Sequence, residues 1–454
     1  MLLKKFFKFV IPSIVSMWIF ALYTMVDGMF VAWGVGESAL ASVNLSMPYV
    51  IFIFSIGLLM ATGTSTLISI ALGQKKEEEA SSLFSMNLVV LTIVSLVVTV
   101  LTFLFLEPLA VFLGASPDNL EYVKSYVGTI GAFAVFFILS YNMEALVKTD
   151  GTPVVSTIGV MVCGLTNVIL DYVFVMVFHW GVWGAAFATG LAQVASTIIF
   201  FTYFARFRKK LCFRRFKWNP GVYKKIIPLG LANGFTELSG GLVVFLFNQT
   251  ILRVIGESGI VSYTVISYIN TLVLNTMAGI AQGMQPVTSY HYGAREPGQC
   301  RKLLKYSLLM EVIVSVVYVF VLELFPQIFV GAFLDRGDGE LFAYTMRALR
   351  LYSLSFLFIG FNVVSAGYFT AMERPWQSFA VSAGRGLFFL AAALGVMVVL
   401  LGENGIWLSP VVSEFICAIL AAVFFLHKKA GPPAFLLTLL RYRSIIEEKH
   451  SISK

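Results

Sequence analysis

The sequence predicts an all-α membrane protein with twelve transmembrane helices in two six-helix bundles, related by a pseudo-two-fold axis along the membrane normal. Three observations predict this fold. The chain carries few charged residues, it contains about twelve apolar runs long enough to cross a bilayer, and its two halves repeat at an interval of about 220 residues. Together they favour lipid, rather than water, as the solvent of most of the surface.

The composition excludes an ordinary soluble domain. Of 454 residues, 58% are hydrophobic and 12% are charged, and the mean hydropathy is +0.86. Soluble domains carry about 25% charged residues. The sequence pI near 9.2 suggests nucleic-acid binding, but the basic residues lie in short loops between apolar runs, which indicates membrane orientation instead. We therefore expect no nucleic-acid partner.

The apolar runs predict twelve spans, because a helix needs roughly 20 such residues to cross the bilayer core. The amino terminus begins like a signal peptide, but its apolar run is too long and has no cleavage pattern, so it is interpreted as the first span. The predicted spans are residues 9–33, 46–72, 84–113, 122–146, 153–178, 182–205, 228–252, 260–290, 303–332, 345–371, 378–402 and 405–427.

The loop charges predict the orientation and the domain limits. Lys and Arg collect in alternate loops, and nine of them lie in the central segment between Arg206 and Lys225. The positive-inside rule therefore places both termini in the cytoplasm. Binding of nucleic acid or anionic lipid is the alternative for that segment. The predicted units are an amino-terminal bundle (1–205), a basic linker (206–227), a carboxyl-terminal bundle (228–427) and a cytoplasmic tail (428–454).

The internal repeat is the most informative feature. GESALAS at residues 36–42 matches GESGIVS at residues 256–262, and Gly63 and Gly73 match Gly283 and Gly293 at the same offset of 220. IPSIVS matches IPLGLA at an offset of 216 residues, and GVW matches GIW at an offset of 224 residues. Since each half has an even number of spans, both begin on the same side of the membrane, and the repeat is parallel, as in some secondary transporters.

Motifs of soluble enzymes are missing from the sequence. We find no Walker A loop, GxSxG, HExxH or paired CxxC motif. The chain is therefore not expected to be an enzyme, to use ATP or to carry a cofactor. The informative groups are instead ionisable residues inside apolar spans, which are costly and usually mark a pathway.

Two acids in the amino-terminal half are the leading functional candidates. Asp27 lies in the first span and Asp171 in the fifth, with Asn167 four residues before Asp171 and so on the same helix face. A carboxylate with an amide neighbour can hold a proton or supply oxygen ligands to a small cation such as Na⁺. The alternative is that buried, hydrogen-bonded aspartates merely hold helices together.

Other polar residues in the spans are second candidates. Glu237 follows Asn233 by four residues in the seventh span, where it is either a second acid or a group that hydrates a bend. Three amides precede Pro286 and either line a cavity or satisfy backbone groups that the proline leaves unpaired: Asn275, Gln282 and Gln285. An Arg385–Glu414 pair is expected to be structural.

Three segments follow one another along the chain: VDGMFVAWGVGESALASVNLSMP, NVILDYVF and AQGMQPVTSYHYGA. In this order they resemble the MATE (multidrug and toxic compound extrusion) family, most closely its MepA-like bacterial branch. The resemblance implies two bundles around a central cavity with alternating access, and export of bulky, often cationic drugs in exchange for H⁺ or Na⁺. It also implies a multi-pass, monomeric protein of the bacterial cytoplasmic membrane, whose partners are drug-like molecules and membrane lipid.

The resemblance also assigns residues. Asp27 resembles the family's first-helix acid, Asn167 and Asp171 its fifth-helix pair, and Glu237 the seventh-helix acid of some branches. The tenth span carries Asn362 where certain sodium-coupled members have an acid, and Asn362 is included among the candidate cavity-lining residues.

Two other functions compete with drug export. A flippase for a lipid-linked saccharide needs a cavity rich in Arg or Lys for pyrophosphate, whereas Arg385 is almost the only basic residue deep within a span. A receptor or a non-transporting scaffold is favoured only if the membrane carboxylates are dispensable.

Overall fold

The computed structural model describes residues 1–335 and 339–426, with the backbone alone for residues 37–40. Residues 336–338 and 427–454 lie outside the described residues, and with them the predicted tail, 428–454. We call residues 1–205 the first half and residues 228–426 the second half. The end of the molecule at which the linker (206–227) lies is the linker end.

The described chain is nearly all helical. The first half contains α1 (Leu2–Gly34), α2 (Glu37–Gly73), α3 (Glu77–Leu104), α4 (Leu106–Phe112), α5 (Leu120–Ala132), α6 (Ala134–Thr149), α7 (Pro153–Asp171) and α8 (Gly181–Thr202). The second half contains α9 (Tyr223–Val254), α10 (Glu257–Gly293), α11 (Pro297–Leu324), α12 (Pro326–Val330), α13 (Gly339–Ser353), α14 (Phe356–Ala371), α15 (Pro375–Ala383), α16 (Phe389–Leu401) and α17 (Glu403–Leu426).

These helices give the twelve predicted spans. Ten are single long apolar helices or helices extended by a π-helical turn, and two are the bent pairs α5–α6, with an angle of 50°, and α13–α14, with an angle of 41°. Each bent pair forms the fourth span of its half. The predicted fold class is therefore confirmed for the described residues, and the bends recur at equivalent places in the repeat.

Positive backbone φ angles recur at the repeat interval as well. Gly36 and Gly256, with φ of 101° and 98°, precede α2 and α10. Lys75 and Arg295, with φ of 61° and 59°, follow the same two helices. Such angles are unusual for residues with a side chain. Their recurrence at an offset of 220 shows that the repeat extends to local backbone geometry.

The predicted third span, 84–113, is interrupted. Helix α3 ends at Leu104, and α4 begins after Phe105. Pro108 has no N–H to donate to the carbonyl of Leu104, so a continuous helix loses that hydrogen bond. The second half breaks in the same way at Phe325, between α11 and α12.

The two halves touch along a seam at the linker end, where glycines of one half lie against backbone of the other. A β-carbon on Gly283 of α10 would lie 2.6 Å from Cα of Val10 in α1. At the position related by the repeat, a β-carbon on Gly63 of α2 would overlap the carbonyl oxygen of Ile226 in α9. Only glycine permits helix backbones to approach so closely, and the reciprocal pairing reflects the pseudo-two-fold relation.

One buried carboxylate accepts four hydrogen bonds that help to fix the linker to the first half. Asp150 accepts hydrogen bonds from the backbone N–H groups of Lys209, Lys210 and Leu211, each at 2.7 Å. The Tyr203 hydroxyl donates to the same carboxylate at 2.5 Å. Since Asp150 is 1% exposed, these donors compensate a charge that would otherwise be costly to bury.

Candidate functional site

The structure brings Asp27, Asn167 and Asp171 together inside the first half. Asn167 and Asp171 lie on α7 and are fully buried, whereas Asp27 reaches them from α1 and is half-buried. The Asp27 carboxyl lies close to the side chains of Asp171, Asn167 and Thr189 of α8. Asn167 also donates from Nδ2 to Thr189 Oγ1 at 3.2 Å. Three helices therefore meet at one polar group, which we call the acid pair site.

Four buried oxygens of the acid pair site have no hydrogen-bond donor among the described residues. Within the described residues, no group donates to Asp27 Oδ1, to either carboxylate oxygen of Asp171 or to Asn167 Oδ1. Two ionised carboxylates are both acceptors and cannot satisfy each other. Their contact therefore requires a proton on one of them or a cation between them.

The local backbone at this site is irregular. Helix α7 ends at Asp171, and a π-helical turn continues from Tyr172 to Val177. Such turns occur frequently at functional sites.

Across residues 1–335 and 339–426, no three His, Cys, Asp or Glu side chains cluster in a way that could hold a metal ion. The donors of the acid pair site, two carboxylates and an amide, instead suit a proton or a hard cation.

A central cavity of about 290 Å³ lies between the two halves. Five of the predicted residues line it: Asn233, Glu237, Asn275, Gln282 and Gln285. Two of their amides also connect the halves. Asn233 donates to Thr62 Oγ1 at 2.8 Å, and Gln285 donates to Thr66 Oγ1 at 2.9 Å. Glu237 therefore faces the cavity and does not belong to the acid pair site.

The acid pair site and the cavity are connected along α1. Tyr23 lines the cavity and lies four residues before Asp27, on the same helix face. Helix α1 therefore contributes both to the acid pair site and to the wall of the cavity. The cavity side of α1 also presents Phe20 and Met17.

Asn362, the remaining cavity-lining candidate, does not belong to the lining of the central cavity in the described structure. It is fully buried, and its Nδ2 donates to Glu414 Oε2 at 2.7 Å and to the Glu414 carbonyl at 2.8 Å. Glu414 also pairs with Arg385, with 2.9 Å between Oε1 and Nη2. The expected Arg385–Glu414 pair is present, and Arg385 additionally lines the cavity.

Glu144 is a cavity residue that the sequence analysis missed. It lines the cavity from α6 and pairs with Lys148 at 2.8 Å, and Ser156 donates to the same carboxylate at 3.1 Å. Lys148 lies within α6 and is 4% exposed. The spacing of four residues between Glu144 and Lys148 was the available signal.

An aromatic cluster on the first-half side of the cavity also escaped the sequence analysis. Phe54 lies with its ring centre 4.9 Å from that of Tyr141 and 6.1 Å from that of Phe20. Phe20 in turn lies 5.4 Å from Tyr23. All four line the cavity, so it offers π faces beside the Glu237 carboxylate, a combination that suits organic cations.

Comparisons with known proteins agree with this architecture. The family model MatE matches residues 12–173 and 232–397, which covers both halves. The multidrug export protein MepA of Staphylococcus aureus (strain MSSA476) is 25% identical over 432 residues, covering 92% of each protein.

Solved structures share the fold. The crystal structure of MATE in complex with MaL6 has a TM-score of 0.88 at 21% identity, covering 93% of this chain and 95% of that chain. The outward-facing conformation of a multidrug resistance MATE family transporter of the MOP superfamily has a TM-score of 0.86 at 22% identity, covering 93% and 94%. Since the family model matches both halves over most of their length, the chain belongs to the MATE family of multidrug and toxic compound extrusion transporters.

Proposed function

We propose that this protein is a secondary active efflux transporter, which exports bulky, often cationic compounds in exchange for H⁺ or Na⁺. The observation that carries the proposal is the contact between the Asp27 and Asp171 carboxyls, which needs a proton or a cation to be stable. The contact is joined through α1 to the wall of a cavity between the halves.

The exchange follows from differential binding. When the acid pair site holds its ion, the two carboxyls can stay in contact, and when the ion leaves, their repulsion favours separation of α1 from α7. Because α1 also forms part of the cavity wall, ion binding and drug binding each favour a different arrangement of the two halves. Export driven by an ion gradient requires no further source of energy.

The cavity supports a cationic cargo. Glu237 and the cluster of Phe20, Phe54 and Tyr141 provide a carboxylate and π faces. In the described lining, Arg385 is the basic side chain, and it is paired with Glu414. A pyrophosphate group would therefore meet little unpaired positive charge, which argues against the flippase alternative.

We further propose that the linker end faces the cytoplasm of a bacterial cell and that the two predicted bundles, 1–205 and 228–427, rock about the linker. The basic residues of the linker support this orientation. With the seam closed at the linker end, the arrangement corresponds to an outward-facing state. Labelling of single cysteines at Lys217 and Asp118 from either side of intact cells tests it, since only the second should react with an impermeant reagent added outside.

Everted vesicles test the coupling. Uptake of tetraphenylphosphonium is measured under an imposed H⁺ or Na⁺ gradient for the wild type and for Asp27→Asn and Asp171→Asn. Both variants should lose gradient-driven uptake, whereas Asp118→Asn, a change to an exposed loop acid, should keep it. The gradient that drives the wild type identifies the ion. Unchanged uptake in both membrane variants would refute the assignment.

A further inference from the structure

A second concavity, of about 600 Å³, lies on the outside of the first half at the linker end. We call it the lateral groove. Its walls are α3, α6, α8 and a segment of the linker. The lining includes Ser85 and Ile93 of α3, Met143 of α6, Phe201 of α8, and Arg214 and Arg215 of the linker. None of these residues belongs to the acid pair site or to the central cavity.

The walls of the lateral groove are apolar and accessible from outside the bundle. Val89, Ile93 and Phe201 are 42%, 51% and 54% exposed, while Met143 forms part of the buried floor. On the outer face of a transmembrane bundle, such side chains contact acyl chains. From Ser85 to Ile93 the groove follows nine residues of α3, a rise of about 12 Å, which is close to the ~15 Å of hydrocarbon in one leaflet.

The rim of the groove at the linker end is basic. Arg214 and Arg215 are both exposed. Arg214 Nη2 lies 2.9 Å from Glu78 Oε1, but the Arg214 side chain keeps 47% exposure. Lys217 follows them in the chain and is also exposed. The rim therefore carries a net positive charge where a phospholipid in that leaflet has its headgroup.

The rim is held in place by the protein. The Arg214 backbone N–H donates to Ser85 Oγ at 2.9 Å. The Phe213 ring lies 5.4 Å from that of Phe84 and 5.3 Å from that of Phe201. Together with the Asp150 contacts described above, these interactions fix an extended segment across the end of the groove. A positioned pair of arginines recognises phosphate better than mobile loop charges do.

We propose that the lateral groove binds one anionic phospholipid, with an acyl chain along α3 and α8 and its phosphate at Arg214 and Arg215. An apolar groove alone accepts any lipid, whereas the arginines select negative charge. Basic pockets between transmembrane helices are recognised sites for anionic headgroups. The inference concerns lipid binding and does not depend on the proposed transport function.

Native mass spectrometry of the purified full-length chain tests the proposal, with titration by dioleoyl phosphatidylglycerol or dioleoyl phosphatidylcholine. The first bound lipid should favour phosphatidylglycerol. The double variant Arg214→Gln/Arg215→Gln should reduce that preference on the order of 30-fold, taking about 1 kcal/mol for each basic residue. The control Lys224→Gln/Lys225→Gln changes two exposed lysines outside the groove and should keep it.

A second variant tests the groove without changing charge. Ile93→Trp fills the apolar part and should abolish the first bound phosphatidylglycerol, while the variant remains monodisperse. Equal loss of preference in the arginine and lysine variants would mean a diffuse basic surface and would overturn the proposal. Unchanged phosphatidylglycerol binding in both the Arg214→Gln/Arg215→Gln and the Ile93→Trp variants would also overturn the proposal.

Discussion

Gly73 of α2 and Tyr290 of α10 touch backbone to backbone across the two halves, since a β-carbon on Gly73 would overlap the Tyr290 carbonyl oxygen. The repeat-related contact joins Gly293 to the carbonyl of Ile70. The ammonium group of Lys5 also lies 4.6 Å from the centre of the Tyr290 ring, and that of the linker residue Lys210 lies 4.9 Å from it. The amino terminus, the linker and both halves therefore meet at one point.

Substitution of Gly293 by valine should hold the seam apart. Overpacking of this kind costs about 1–3 kcal/mol, and the backbone of α2 cannot yield as a flexible side chain would. We expect Gly293→Val to lower the unfolding temperature in detergent and to abolish drug efflux. Gly395→Val on α16, where a β-carbon meets nothing within 4 Å, is the matched control. Wild-type efflux from Gly293→Val would show that closure of the seam is not needed.

The sequence predicted the seam only indirectly. Gly63, Gly73, Gly283 and Gly293 were recognisable as repeat marks, because ordered matches at one offset are visible in a single chain. That they face the opposite half depends on how the bundles pack, which no local pattern encodes. The twelve spans were predictable because bilayer thickness fixes their length. The break at Phe105 was missed although Pro108 marked it.

The candidate sites show the same division between local and long-range information. Asp27 and Asp171 stood out because acids are rare in membrane spans. The role of Asn362 could not be predicted, because its partner Glu414 lies 52 residues away in sequence. The cavity rings Phe54 and Tyr141 could not be distinguished among 42 phenylalanines and 18 tyrosines, most of which pack helices or face lipid.

Neutralisation of Glu237 should separate cationic from neutral cargo. A carboxylate that contacts an organic cation contributes about 1.5–3 kcal/mol, so Glu237→Gln should raise the half-saturating concentration of tetraphenylphosphonium roughly 10- to 100-fold. Transport of an uncharged substrate should change little. Glu257→Gln, at an exposed position on α10, should behave as the wild type. An equal loss for charged and uncharged substrates would indicate a structural role for Glu237.

Replacement of one member of the Arg385–Glu414 pair should strongly lower the stability of the protein. Glu414→Gln leaves the buried guanidinium without its counter-ion, which costs about 3–5 kcal/mol, and we expect a large fall in unfolding temperature. The double variant Arg385→Leu/Glu414→Leu should recover part of it, because both charges are then absent. Arg350→Ala, which breaks the more exposed pair with Glu323, should cost less than about 1 kcal/mol. A double variant less stable than Glu414→Gln would contradict this interpretation.

The Asp150 carboxylate should control how firmly the linker is held. Asp150→Ala leaves three backbone N–H groups and the Tyr203 hydroxyl without their acceptor, and hydrogen bonds to a charged group contribute about 1.5–3 kcal/mol each. We expect the linker to detach and its basic residues to become accessible to trypsin, with cleavage at Lys209 or Lys210 at least ten-fold faster than in the wild type. Asp118→Ala is the control, since it alters an exposed acid away from the linker. If the arginine rim of the lateral groove depends on this attachment, Asp150→Ala should also weaken the phosphatidylglycerol preference. Trypsin cleavage at the wild-type rate would instead show that the contacts of Ser81, Ser85 and Phe213 hold the linker without Asp150.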